Sequence, residues 1–187
     1  MRKLSIVFIL LAACALAGCA GQPYGYDDLF RAQLNAPYRL ASGDRIRVIV
    51  FGQDNLSNSY SVDSAGNISM PLIGPVRAYG FTVEELGHEL EADLRNGYLR
   101  DPKVSVEVEA FRPFFVLGEV QTAGQYPFIN GMTVQNAIAV AGGFSPRGYQ
   151  GGADITRIVN GRPITGWVPL SFPVRPGDTV TVRERFF

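Results

Sequence analysis

Side chains suited to acid–base, metal or nucleophilic chemistry are sparse in this sequence of 187 residues. His88 is the single histidine, and it lies among Glu84, Glu85, Glu89 and Glu91. Glu84 and His88 are i,i+4 neighbours if that stretch is helical. A metal site needs further ligands, and no second histidine or free thiol offers them. Paired carboxylates can hydrolyse glycosides, but these acids share one predicted helix surface, as solvated faces do. Ser145 and Ser171 have no histidine near them in the sequence, so no nucleophile–base pair stands out. The run Gly142-Gly143-Phe144-Ser145-Pro146-Arg147-Gly148 is glycine-rich but lacks the Lys-Ser/Thr ending of a phosphate loop. It reads as a helix end followed by a loop. No catalytic residue, metal or cofactor is expected.

Binding residues are easier to find. Arg147 and Tyr149 fall on the glycine-rich loop, and Tyr79 and Trp167 lie elsewhere. They offer hydrogen bonding and ring stacking to a ligand, whereas most of the 12 Phe and 8 Tyr read as core. Charge excludes one large class of partner. Lys and Arg total 17 against 17 Asp and Glu, with no basic cluster to meet nucleic-acid phosphates. The 47% hydrophobic content excludes a disordered chain.

The first residues read as an address. Arg2 and Lys3 precede an apolar stretch from Leu4 to Ala17, too short for a comfortable membrane span. The stretch ends Leu16-Ala17-Gly18-Cys19, which resembles a bacterial lipobox; an ordinary secretory signal cut nearby is the alternative. Residues 1–18 are therefore expected to be a signal peptide and Cys19 a lipid attachment point. Cys14 would leave with the signal, so Cys19 would have no partner for a disulfide. Ala20 rather than Asp follows Cys19, which by analogy implies the outer membrane with the body in the periplasm. Residues 19–37 read as a lipidated tether.

Positioning elements follow from periodicity. Ile46, Val48 and Val50 alternate along a strand, and Tyr60–Asp63 with Ile68–Leu72 read as a hairpin around Ser64-Ala65-Gly66-Asn67. Gly74-Pro75 reads as a chain break. Thr82 and Glu85 make a capping box for a helix with Val83, Leu86, Leu90 and Leu94 on one stripe, ending at Asn96-Gly97. Pro102 opens a strand with Val104, Val106 and Val108 inward. Beyond Arg112-Pro113, Phe115–Val120 is strand-like, and Thr133 caps a helix over Val134–Val140. Asp154–Val159 is a strand followed by the hairpin signal Asn160-Gly161.

Two features recur. Gly43-Asp44-x-Ile-x-Val matches Gly177-Asp178-x-Val-x-Val, and Gly80-Phe81-Thr82-Val83 matches Gly131-Met132-Thr133-Val134. The expected fold is α+β: two small β-rich modules, each with one main helix, over residues 38–111 and 112–187. Modules of this size bury little surface and gain by packing on neighbours.

Asp63-x-x-Gly66-x-Ile68-x-x-Pro71-x-x-Gly74 with Gly80-x-Thr82 resembles the polysaccharide export domain of outer-membrane export lipoproteins. Val116-Leu117-Gly118-Glu119-Val120, Gly124-x-Tyr126 and Ala139-x-Ala141-Gly142-Gly143-Phe144 resemble the soluble-ligand-binding (SLBB) β-grasp module of that family. Ala123 stands where the family usually has Pro. The resemblance implies a non-enzymatic, ring-forming homo-oligomer that passes polysaccharide outward. It implies an inner-membrane chain-length-regulating co-polymerase as partner. Some members of the family continue into a C-terminal amphipathic helix that forms a transmembrane pore; this sequence reads as a short form without one, so a separate outer-membrane β-barrel or another partner is the expected exit. On this reading Arg147, Tyr149, Trp167 and Tyr79 are candidate glycan contacts. The alternative is a monomeric glycan-binding adaptor with no conduit role.

Overall fold

A computed structural model describes residue 30, residue 33 and residues 36–159 and 161–185. Strand β1 (Arg45–Val50) alternates as the sequence predicts, burying Ile46, Val48 and Val50. It forms the centre of an antiparallel sheet between β2 (Asn58–Ser61) and β5 (Val104–Ala110). Helix α1 (Val83–Arg95) begins with the predicted capping box, and its Leu86, Leu90 and Leu94 are fully buried on this sheet's core. Gly87 lies close to β5, where a Cβ would sit 3.5 Å from the Val104 carbonyl.

The hairpin is differently wired from the expectation. The turn after Asp63 forms, with Asn67 N–H donating to Asp63 Oδ1 at 2.9 Å. However, β2 pairs with β1, while β3 (Asn67–Met70) pairs with β4 (Gly74–Arg77) in a separate ribbon. Gly74-Pro75 therefore opens a strand rather than breaking the chain. Pro75 is tolerated because a two-stranded ribbon consists only of edges. Burial of Ile68, Met70 and Val76 in the same core drives this pairing.

The second unit is a five-stranded mixed sheet holding one helix, as a β-grasp-like module should. It contains β6 (Phe114–Gly118), β7 (Gly124–Tyr126), β8 (Ala153–Val159), β9 (Arg162–Val168) and β10 (Thr179–Val182). Their order is β7-β6-β10-β8-β9, and β6 and β10 run parallel. Helix α2 (Val134–Val140) spans the predicted residues, with Thr133 and Asn136 completing a second capping box. Val134, Ala137 and Ile138 pack on Phe114, Val116, Ile155, Val180 and Val182.

One contributor to this core comes from far away in the chain. Phe30 lies in the stretch read as a tether, yet it is fully buried in the second core. Its ring meets Phe172 edge-on at 6.1 Å, and the Arg157 guanidinium carbon lies 5.5 Å from its centroid. Gly166 makes room for the ring, since a Cβ there would sit 3.2 Å from it. Arg175 Nη2 donates to the carbonyls of Gln33 and Ala36, fastening the same segment.

The repeated Gly-Asp element has one geometry in both units. Gly43 and Gly177 take left-handed φ values of 92° and 83°. The next residues, Asp44 and Asp178, are buried and accept hydrogen bonds from the N–H groups of Ala41 (2.8 Å) and Arg175 (2.7 Å). Each carboxylate then takes an arginine: Arg112 for Asp44, and Arg157, through Nε and Nη2, for Asp178.

Arg112 ties the two turns together. Its N–H donates to Asp44 Oδ1 at 2.8 Å, and its Nη1 reaches Tyr38 Oη at 2.8 Å. A Cβ on Gly43 would lie 3.4 Å from the Arg112 Cβ, and one on Gly177 would lie 2.5 Å from its Nε. The side chain thus runs between the two glycine turns, where only missing side chains leave it space.

Phe30→Ala should lower stability by about 3–5 kcal/mol, as buried Phe truncations do, read as a reduced urea midpoint; a tether residue would change it by under about 0.5 kcal/mol. A second outcome concerns alkaline pH. Burial, and then the hydrogen bond donated to Asp44, hold the Tyr38 phenol well above the usual tyrosine range. The folded protein keeps a proton that the unfolded chain releases above about pH 10, so this contribution is intact below that pH and declines above it. Tyr38→Phe should flatten the fall in stability above about pH 10, measured by urea melts at stepped pH.

Candidate functional site

A cleft of about 580 Å³ opens where the two units meet. Tyr38, Arg39, Tyr79 and Gly80 line it from the first unit, and Arg157, Ile158, Arg175 and Pro176 from the second, with Arg112 between them. Four arginines border the cleft, and no Asp or Glu does among the described residues. Three of the four have a carboxylate partner, buried for Arg112 and Arg157 and exposed for Arg39. Arg39 meets Glu85 at 2.8 Å, Arg112 meets Asp44 at 3.4 Å, and Arg157 meets Asp178 at 2.7 Å. The N–H of Thr82, and then Arg39, hold the Glu85 carboxyl below its ordinary range. Arg175 has only backbone carbonyls as side-chain acceptors among the described residues. Burial, and then the neighbouring Arg157 charge, lower its affinity for its proton.

The four candidate contact residues do not share one surface. Tyr79 lies on the cleft, 44% exposed, with its Cβ against Gly66. Arg147, Tyr149 and Trp167 belong to another region, at the end of the second unit. Arg147 is held by Glu119 at 3.6 Å and Glu184 at 3.3 Å. The Tyr149 N–H donates to the Arg183 carbonyl at 2.8 Å. Arg183 forks onto Asp154 at 2.6 and 2.5 Å, and this hydrogen bonding raises its proton affinity. Asp154 is the cross-strand partner of Trp167, whose ring covers Gly152. Three of the candidates thus line one end of the sheet, with ion pairs between them. Cys19 lies outside the described residues.

Of the residues weighed for catalysis, Glu91 and Ser145 have structural duties. His88 is 84% exposed and lies 3.9 Å from Glu91, whose other oxygen accepts the Val104 N–H at the start of β5. Ser145 donates to Glu119 at 2.6 Å and helps shape the loop carrying Arg147. The cleft arginines were missed at the sequence level. The signal for them was the repeated Gly-Asp pair, since a buried Asp after a turn glycine calls for a cationic partner.

The sequence matches a family model for polysaccharide biosynthesis/export proteins over residues 32–109. A model of the SLBB domain matches residues 113–167. Among curated proteins, the exopolysaccharide production protein ExoF of Rhizobium meliloti is 34% identical over 146 residues, covering 72% of this chain and 32% of ExoF. The EPS I polysaccharide export outer membrane protein EpsA of Ralstonia nicotianae is 27% identical over 183 residues, covering 80% of this chain and 48% of EpsA. The polysialic acid transport protein KpsD of Escherichia coli is 28% identical over 114 residues, covering 60% of this chain and 20% of KpsD. The chain thus spans between a fifth and a half of the length of these relatives. No helix among the described residues is long and apolar enough to cross a membrane. With its export domain leading directly into an SLBB domain across the Arg112 joint, the chain belongs to the polysaccharide export family.

Proposed function

We propose that this protein is a non-enzymatic, ring-forming component of a periplasmic conduit that passes polysaccharide outward. Residues 1–18 act as the signal peptide, and Cys19 carries the lipid that anchors the body to the outer membrane. Residues 38–111 serve as the export module and residues 112–187 as the SLBB module. The observation that supports this most is the succession of the two family matches with the packed joint between them. A fixed joint gives every copy one shape, and copies related by one repeated rotation can close into a ring. Exposed apolar side chains suit contacts between copies: Leu72, Phe115, Leu117 and Ile129 are all more than a third exposed.

Transit of a polymer requires weak, repeated contacts. Arg147, Tyr149, Trp167 and Tyr79 offer these without holding the chain tightly. The energy comes from elsewhere: an inner-membrane chain-length-regulating co-polymerase supplies the polymer, and a separate outer-membrane β-barrel completes the route. The exposed, ion-paired patch around Trp167 also suits a second reading, a monomeric glycan-binding adaptor. Native mass spectrometry of the lipidated protein, gently extracted from outer membranes, separates the two. One large closed oligomer is expected, together with loss of surface polysaccharide when the gene is deleted. A monomer at every concentration, with secretion intact in the deletion strain, would overturn the conduit.

A further inference from the structure

We propose that the cleft between the two modules binds a carboxylate-bearing sugar unit, with Arg175 and the unused edge of Arg157 holding the carboxylate and Tyr79 packing on the ring. The inference takes its sugar from the export reading and adds a charge requirement and a place.

Arg157 carries a donor edge that no other group among the described residues uses. This guanidinium is 95% buried, since its side chain retains 5% exposure. Nε and Nη2 are spent on Asp178, and Nη2 also reaches the Pro173 carbonyl at 3.3 Å. That leaves Nη1 buried, with no hydrogen-bond partner among the described residues. A charged donor left in this state is costly, and native structures seldom keep one without a reason. Arg157 is a wall residue of the cleft, so a bound oxyanion is a natural acceptor for that edge.

Charge balance points the same way. Four guanidinium groups border the cleft against three paired carboxylates, and Arg175 is the one without a carboxylate. Burial and then Arg157 lower the proton affinity of Arg175 while Asp178 partly restores it, so a further negative group between the two arginines would ease their repulsion, and guanidinium forks match a carboxylate in geometry. The cleft volume of about 580 Å³ is far more than a bare ion needs and lies in the small-ligand range. Tyr79 and the exposed Ile158 give it apolar surface for the faces of a sugar ring.

Calorimetric titration of the full lipidated protein in detergent tests this, with trigalacturonate, maltotriose and inorganic phosphate as separate probes. Trigalacturonate should bind at least about tenfold tighter than either of the others, and its affinity should fall with added salt. Arg157→Lys removes the free edge but risks the buried pair with Asp178. Arg175→Gln and the exposed Tyr79→Ala therefore carry the test, each expected to weaken binding about tenfold with an unchanged circular dichroism spectrum. Lys103→Gln removes one positive charge away from the cleft and should leave binding unchanged. Equal binding of maltotriose, equal binding of phosphate, or no binding of trigalacturonate would each overturn the proposal. Binding that persists although the deletion strain secretes normally would instead count against the export reading alone.

Discussion

A carboxylate with no exposure to water must have its oxygens fully engaged, and in this protein satisfying Asp44 organises the whole molecule. Its acceptors are filled by the Ala41 N–H, the Arg112 N–H, the Tyr38 hydroxyl and the Arg112 guanidinium. Two of those donors belong to the residue that begins the passage into the second unit. Rotating one module against the other would strand a buried charge, and breaking such a pair typically costs about 3–5 kcal/mol. The pair need not add net stability to have this effect, because desolvation offsets much of its attraction. What it supplies is one permitted angle between the modules.

The same device closes the other side. Asp178 engages Arg157 as Asp44 engages Arg112, and Gly177 yields the space that the Arg112 side chain occupies. Two copies of one turn therefore face each other across a single arginine. The cleft is a by-product of that arrangement, since the arginines needed to neutralise the buried acids emerge along its walls. A structural requirement for cations in the joint thus becomes a surface that favours anions.

Much of this was legible in the residues. The first capping box, the Thr133 cap, the leucine stripe of α1 and the β8–β9 hairpin are local, and each is set by residues a few positions apart. The pairing of β3 with β4 was not, because Gly74-Pro75 carries a strong turn signal that tertiary burial of Val76 overrides. Phe30 also escaped, since Gly21, Pro23, Gly25 and Pro37 around it make the whole stretch read as a linker. The candidate contacts were chosen by residue type, and type alone does not say that Arg147 is ion-paired or that Tyr79 lies apart from the other three. The repeat of Gly-Asp was visible, but its arginine partners lie far along the chain from one of the two turns.

The second core draws on both extremes of the described chain. Phe30 packs beside Phe172, and β10, the last strand, lies in the interior of the sheet between β6 and β8. Neither can be placed until nearly all of the sequence is present, so the pairing of lowest locality is also the one that completes the sheet. Chains dominated by such distant pairings fold slowly, because loop-closure entropy is spent before any contact rewards it. The first unit, whose strands and helix lie within residues 45–110, has no such dependence and can assemble while the rest is still extended. During that interval β6 has no β10 beside it, and an unpaired strand edge of this kind invites association with other chains. A folding order running from first module to second therefore leaves a window in which a chaperone, or a neighbouring copy, meets the protein before its own last strand does.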